Sequence, residues 1–176
     1  HTDPVGLLLS HRAYWSIVSD VEQNDDVLFK PLFSYEMVGI CSKDHPLANK
    51  EVWQAEDFAE ETWVTYPVPD DMLDLYRQVL KPKGINPPRR TTELTIALIQ
   101  LVASRLGIAT VPYWAALPYL EKGYVVARKI TEEGLYSNLY AAIRKEDANL
   151  AYIEDFHQTV KAQSFSTLPG LSVLEL

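Results

Sequence analysis

Residues 91–112, TTELTIALIQLVASRLGIATVP, constrain the fold more than any other stretch of the chain. Ile96, Ile99, Ala103 and Leu106 recur at helical spacing, with Leu98 and Val102 beside them, which predicts an amphipathic helix with a broad apolar face. Thr92 and Thr95 can each cap its start, because a threonine hydroxyl accepts a hydrogen bond from a first-turn amide. Gly107 stands where a chain leaving a helix favours a left-handed residue. Ile108-Ala109-Thr110-Val111 follows as a short apolar run of β character, closed by Pro112. Helix, glycine and buried strand in this order make a unit of an α/β sheet. Such sheets present helix N-termini at the carboxyl ends of strands, where small anionic or zwitterionic ligands bind.

The rest of the chain repeats the alternation. Asp3-Pro4 starts a short helix carrying Val5 and Leu7 to Leu9, and residues 15–18 read as a buried strand ending at the polar pair Ser19-Asp20. Residues 27–33 and 35–41 predict two strands, broken after the second by His45-Pro46. Residues 52–60 predict a short helix or turn that packs Trp53 and Phe58. Residues 63–66 predict a strand ending at Pro67. Asp70-Asp71 starts a helix with Met72, Leu75, Tyr76, Val79 and Leu80 inward, stopped by Pro82 and Gly84. After the central unit come a helical piece at 113–121 and strands at 125–129 and 136–144. The last helix, 149–163, is expected to be capped by Asn149 and to bury Leu150, Ile153, Phe156 and Val160, with His157 on its solvent side; residues 164–176 read as a tail. Alternating strands and helices give an α/β fold.

Composition narrows the function. The chain has 176 residues, 47% hydrophobic and 23% charged, enough for a core without staples. Its formal net charge of −8 argues against a nucleic-acid grip by this piece, since phosphate neutralisation supplies most of that affinity. Cys41 is the only cysteine, which favours a reducing compartment. With no basic leader and no apolar segment long enough to span a bilayer, the expected location is the cytoplasm.

Sites for chemistry are scarce. His1, His11, His45 and His157 have no paired metal-ligand spacing, so neither metal nor cofactor is expected. No G-x-S-x-G elbow or P-loop occurs, Cys41 sits in an apolar run, and the carboxylate pairs are adjacent in sequence, so their side chains diverge. The chain is expected not to be an enzyme. Thr92 and Thr95 are the better candidates, for a ligand carboxylate at the helix start; the plainer reading is that both only cap the helix. Asp70-Asp71 already carries acids at its own helix start and makes a poor anion site.

Residues 102–112, VASRLGIATVP, resemble the VAAGLGIALLP signature of the effector-binding domain of LysR-type transcriptional regulators. Residues 28–48, LFKPLFSYEMVGICSKDHPLA, resemble the segment in which that family carries DHPLA, and with WVTYPVP the similarity is closest to the family's methionine-biosynthesis regulators. The resemblance covers nearly the whole chain. One departure is Tyr14, which stands where the family has an aspartate.

The resemblance implies a two-lobed, type 2 periplasmic-binding-protein-like α/β domain. Residues 1–35 would be a partial lobe I, 36–145 lobe II, and 146–176 the return to lobe I with its helix and tail. It further implies that the family's winged helix-turn-helix, linker helix and first part of lobe I lie outside this sequence. The effector would sit between the lobes, lined by Ser19, Asp20, Tyr66, Pro67, Val68, Thr92, Thr95 and Pro112. Homocysteine or a similar sulfur amino acid is the implied effector, with Asp20 meeting its ammonium group. DNA would be contacted only through the absent N-terminal domain, with no membrane involved and the full protein a homodimer or tetramer. The alternative is a solute-binding protein of an amino-acid transporter, which shares the architecture.

Overall fold

The computed structural model describes residues 3–174; His1 lies outside the described residues. In chain order the elements are α1 (Pro4–Leu9), β1 (Trp15–Val18), β2 (Val27–Cys41), β3 (Val52–Trp53), β4 (Trp63–Thr65) and β5 (Arg89–Thr91). They continue with α2 (Thr95–Ala103), β6 (Ile108–Pro112), α3 (Tyr113–Glu121), β7 (Val126–Ile130), β8 (Leu135–Arg144), α4 (Ala151–Thr167) and β9 (Leu171–Ser172). The chain divides into two compact units, His1–Tyr35 with Ser137–Leu176 and Glu36–Tyr136. The two passages between them lie inside β2 and β8. The return therefore comes within a continuous strand, upstream of position 145. No helix among the described residues is long and apolar enough to cross a membrane.

In the first unit β1 runs antiparallel to β8, with Trp15 opposite Ile143 and Val18 opposite Tyr140. Asp3 caps α1 as its sequence suggests, its carboxylate accepting from the Gly6 amide at 2.8 Å. Val5 and Leu8 then pack on Val18, Val27 and Ala142. The buried Arg144 guanidinium closes the α1 end, donating to the carbonyls of Leu8 at 2.6 Å and Ala13 at 2.7 Å.

Several expectations for this unit fail for identifiable reasons. β1 is not a fully buried strand: Ile17 faces outward and only Val18 is enclosed. The two strands expected over 27–41 are one, because Ser34 and Tyr35 pair with Ser172 and Leu171 of β9. The same pairing gives structure to the expected tail. The last helix also runs on to Thr167, where Ser164 and Thr167 hydroxyls bond back to the carbonyls of Val160 and Gln163 and Phe165 meets Phe33 edge-on at 6.2 Å. Asn149 does not cap it; Leu150 holds that position without a side-chain bond. The stripe is rotated: Phe156 is half exposed, whereas His157, expected outside, is only 3% exposed and lies beside Trp15.

The second unit is built on a sheet covered on both faces. β2 runs antiparallel to β6 and β7, β4 runs parallel to β5 and β6, and β3 runs parallel to β7. Side chains alternate across a strand. Trp63 and Ile108 thus join Trp53, Phe58, Leu75, Leu80 and Ile130 in one layer, and Val64, Ala109 and Val111 join Ile40, Leu98, Ile99, Val102 and Ala116 in the other. This two-sided burial explains the nearly continuous apolar runs of β4 and β6. Gly39 makes room for the fully buried Trp53; a Cβ there would come within 2.4 Å of the indole.

The helix expected from Asp70 is broken into a 3₁₀ turn over Asp70–Met72, a π turn over Tyr76–Leu80 and a second 3₁₀ turn over Lys81–Lys83. Leu73 rather than Met72 turns inward, alongside Leu75. Residues 52–60 form β3 and a 3₁₀ turn that bury Trp53 and Phe58 as expected.

Candidate functional site

The register of the parallel strands builds the site. Trp63, Val64 and Thr65 of β4 lie opposite Arg89, Arg90 and Thr91 of β5, and Trp63 and Val64 lie opposite Ile108 and Ala109 of β6. The carboxyl ends of all three strands therefore point the same way. Tyr66 and Pro67 follow β4 there, Thr92 follows β5, and Pro112 ends β6. The Thr92 amide donates to the Thr65 carbonyl at 3.0 Å, prolonging the pairing by one step before the chain turns into α2. Tyr66, Pro67, Val68, Thr92, Thr95 and Pro112 thus gather in one unit, at the strand ends where open α/β sheets bind ligands.

Thr95 is the first residue of α2, and its hydroxyl meets the Tyr66 hydroxyl at 2.7 Å. That contact joins the loop after β4 to the helix start. The first hydrogen bond along the helix runs from the Leu98 amide to the Leu94 carbonyl at 3.0 Å. Amides ahead of it have no acceptor within the helix and carry the positive end of its dipole. No acidic residue occupies the first turn, although the exposed Glu93 lies just before it. Hydroxyls, first-turn amides and a half-buried setting can together receive a carboxylate.

The capping roles foreseen for Thr92 and Thr95 are not what these residues do. Leu94 is the N-cap and makes no side-chain cap bond. Thr92 lies outside the helix, paired to β4, and Thr95 lies inside it, turned to Tyr66. The apolar face is also rotated from the expected stripe. Leu98, Ile99 and Val102 are fully buried, whereas Ile96 is 56% exposed and Leu106 44%. Helix α2 is left through Arg105 rather than Gly107. Arg105 takes the left-handed conformation with φ 60°, and the Leu106 amide bonds back to the Leu101 carbonyl at 3.0 Å. Gly107 serves a close approach, since a Cβ there would stand 2.3 Å from the Thr62 carbonyl oxygen.

Ser19 and Asp20 belong to the other unit. Both are exposed just past β1, with the Ser19 hydroxyl donating to an Asp20 carboxylate oxygen at 3.5 Å.

Groups weighed for chemistry have settled surroundings. Burial pushes the Cys41 thiol up to about 11; Glu61 adds to the rise and Arg128 opposes it. A thiol held that high is a poor nucleophile at neutral pH. His45 uses both ring nitrogens, Nδ1 accepting from the Leu47 amide and Nε2 lying 3.2 Å from a Glu61 oxygen, which fixes the DHPLA turn. Sequence reading missed the Tyr66–Thr95 hydroxyl pair and the ion pair between Arg89 and Asp70. Each partnership spans a long loop, so only a pattern of paired substitutions among relatives could have signalled it.

Residues 1–164 match the family described as LysR substrate binding domain. Over all 176 residues the chain is 83% identical to the HTH-type transcriptional regulator MetR of Haemophilus influenzae, covering 57% of that protein. The solved regulatory domain of a MetR, a LysR family regulator from N. meningitidis, is 63% identical with a TM-score of 0.92, over 99% of this chain and 81% of that one. The effector binding domain of QuiR, solved in complex with shikimate, is similar in fold alone, with 22% identity and a TM-score of 0.74 over 90% of this chain and 77% of that one. The chain spans a little over half the length of the curated relatives it matches.

Proposed function

The chain belongs to the LysR substrate-binding family, and from that membership we propose that it is the effector-sensing domain of a DNA-binding transcription factor controlling methionine-biosynthesis genes. Its α/β fold is that of the family's regulatory domains, which are two-lobed and periplasmic-binding-protein-like. The observation that carries the proposal is the identity to a curated MetR along the whole chain.

Homocysteine or a related sulfur amino acid is the effector in this reading. Its carboxylate lies at the start of α2 beside Thr92 and Thr95, with Tyr66, Pro67, Val68 and Pro112 lining the pocket. Support comes from the shared direction of the strand ends and from the absence of acidic residues in the first turn of α2. Ser19 and Asp20 stay in the proposal through the family resemblance alone. An effector acts by favouring one arrangement of the protein over another, and it needs no catalytic step. DNA is read, in this proposal, by polypeptide outside these residues, because a chain of net charge −8 is ill suited to phosphate. The intact protein would work in the cytoplasm as a homodimer or tetramer. The transporter alternative is set aside, because the relatives matched along the chain are transcriptional regulators.

Calorimetric titration of the intact protein with homocysteine, methionine and other amino acids tests the reading. Saturable binding of homocysteine, in preference to amino acids without sulfur, is expected. Failure of every sulfur amino acid to bind would overturn it.

A further inference from the structure

Arg89 opens β5 directly opposite Trp63 of β4. Its guanidinium carbon lies 5.2 Å from the Trp63 ring centroid and 4.9 Å from that of Tyr76, so the planar group sits against both rings. It also grips both Asp70 carboxylate oxygens, Nη1 donating to Oδ1 and Nη2 to Oδ2, the latter at 3.3 Å. Trp63 is a fixed wall, fully buried in the core. Asp70 and Tyr76 are different in kind: both belong to the segment that leaves β4 at Tyr66.

That segment has little regular structure. The Val68 amide bonds to the Tyr66 carbonyl, Met72 to Pro69 and Leu73 to Asp70, all of them local turns. Local turns shape a loop without fastening it to the sheet. Burial of Leu73 and Leu75 anchors its far end, Val68 and Tyr76 pack partly buried on the same core, and the Tyr66–Thr95 hydroxyl pair touches its near end. Arg89 supplies a charged tie between them. We propose that Arg89 is a positioning residue, which clamps Asp70 and Tyr76 to β5 and thereby holds the loop after β4 in place, with Tyr66 against the start of α2. Its consequence for ligand affinity rests on the effector reading above; the clamp itself does not.

The chemistry calls for arginine. Its rigid fork takes a carboxylate with two bonds while its faces stack on aromatic rings, whereas a lysine ammonium is a hydrated point charge that does neither well. Arg89→Lys thus keeps the charge and loses the clamp. A wall that is only sometimes in place lowers apparent affinity by the fraction of time it is absent.

The test compares Arg89→Lys, Asp70→Asn and the double variant in the intact protein. Amide hydrogen exchange is expected to quicken at Val68, Met72 and Leu73 while Leu98 to Val102 exchange as in the wild type. Homocysteine affinity is expected to fall by about three- to tenfold. The double variant should be no worse than the worse single one, because both remove the same contact. Unchanged exchange at residues 68–73, equal quickening in α2, or additive losses would each overturn the clamp. If the wild type takes up no homocysteine, the effector reading falls and exchange alone decides the clamp.

Discussion

Helices α2 and α4 begin alike and are used differently. Each starts at a leucine that makes no side-chain cap bond, Leu94 in one and Leu150 in the other. Around α2 the carboxyl ends of three parallel-connected strands point the same way, the Thr95 hydroxyl meets that of Tyr66, and no acid occupies the first turn. Around α4 the first turn carries Glu154, which is already bonded to Lys30 and Gln158. Those bonds hold its carboxyl below the usual carboxylate range, the Gln158 bond first and Lys30 second. In the proposed reading, an open helix start becomes a site only through its surroundings. The two cores also differ. The α2 face is wholly aliphatic, whereas α4 buries a histidine.

The largest effect expected from this contrast is on stability. Leu98→Ala removes a fully buried side chain from a closely packed layer and should cost about 3 kcal/mol in denaturant unfolding. Ile96→Ala, on the stripe that periodicity alone would choose, should cost less than about 1 kcal/mol. Equal costs would mean that α2 packs on the other face.

At the helix starts the comparison turns to affinity. Thr95→Val removes the hydroxyl that meets Tyr66 and should weaken homocysteine binding about tenfold, the value of one charge-assisted hydrogen bond. Thr159→Val on α4, whose hydroxyl only bonds back to the Asp155 carbonyl, should leave binding unchanged. Matching losses in the two variants would remove Thr95 from the site.

His157 gives the smallest and most specific effect. Burial lowers its pKa from the ordinary 6.5, Lys30 and Lys161 lower it further, and Glu154 opposes them. The folded state thus keeps the ring neutral where the unfolded chain would protonate it. Its contribution is fully present above pH 6.5 and is lost as pH falls from there toward the lower folded value. His157→Gln should flatten that part of the stability–pH curve, followed by urea unfolding at a series of pH values. An unchanged slope would assign it to other groups.

Much of this was legible in the chain. The helices at α1, α2, α3 and α4, the Asp3 cap and the turn at His45 rest on local rules, and the structure keeps them, whereas β3, β5, β9 and the broken helix after Asp70 were not foreseen. The faces of α2 and α4 followed only in part: Leu98, Ile99, Val102 and Ile153 are buried as their spacing suggests, whereas Ile96, Leu106 and Phe156 are exposed and His157 is buried. Which rotation a helix takes depends on the sheet beneath. Ser34 to Tyr35 reads as a break and is none, since its partner β9 lies far along the chain. Within the candidate site, the strand ends before Pro67 and at Pro112 could be placed from sequence, whereas β5 was not foreseen. What Thr95 faces could not, because Tyr66 reaches it only through the parallel register of β4 beside β6.

In the proposed reading the start of α2 is where the effector is received. Amide hydrogen exchange of the intact protein, with and without saturating homocysteine, addresses it directly. Slower exchange is expected at Thr95, Ile96 and Ala97 on binding, with Ala151, Tyr152 and Ile153 at the start of α4 unaffected. Slowing confined to α4, or homocysteine binding that leaves the first turn of α2 unchanged, would contradict it.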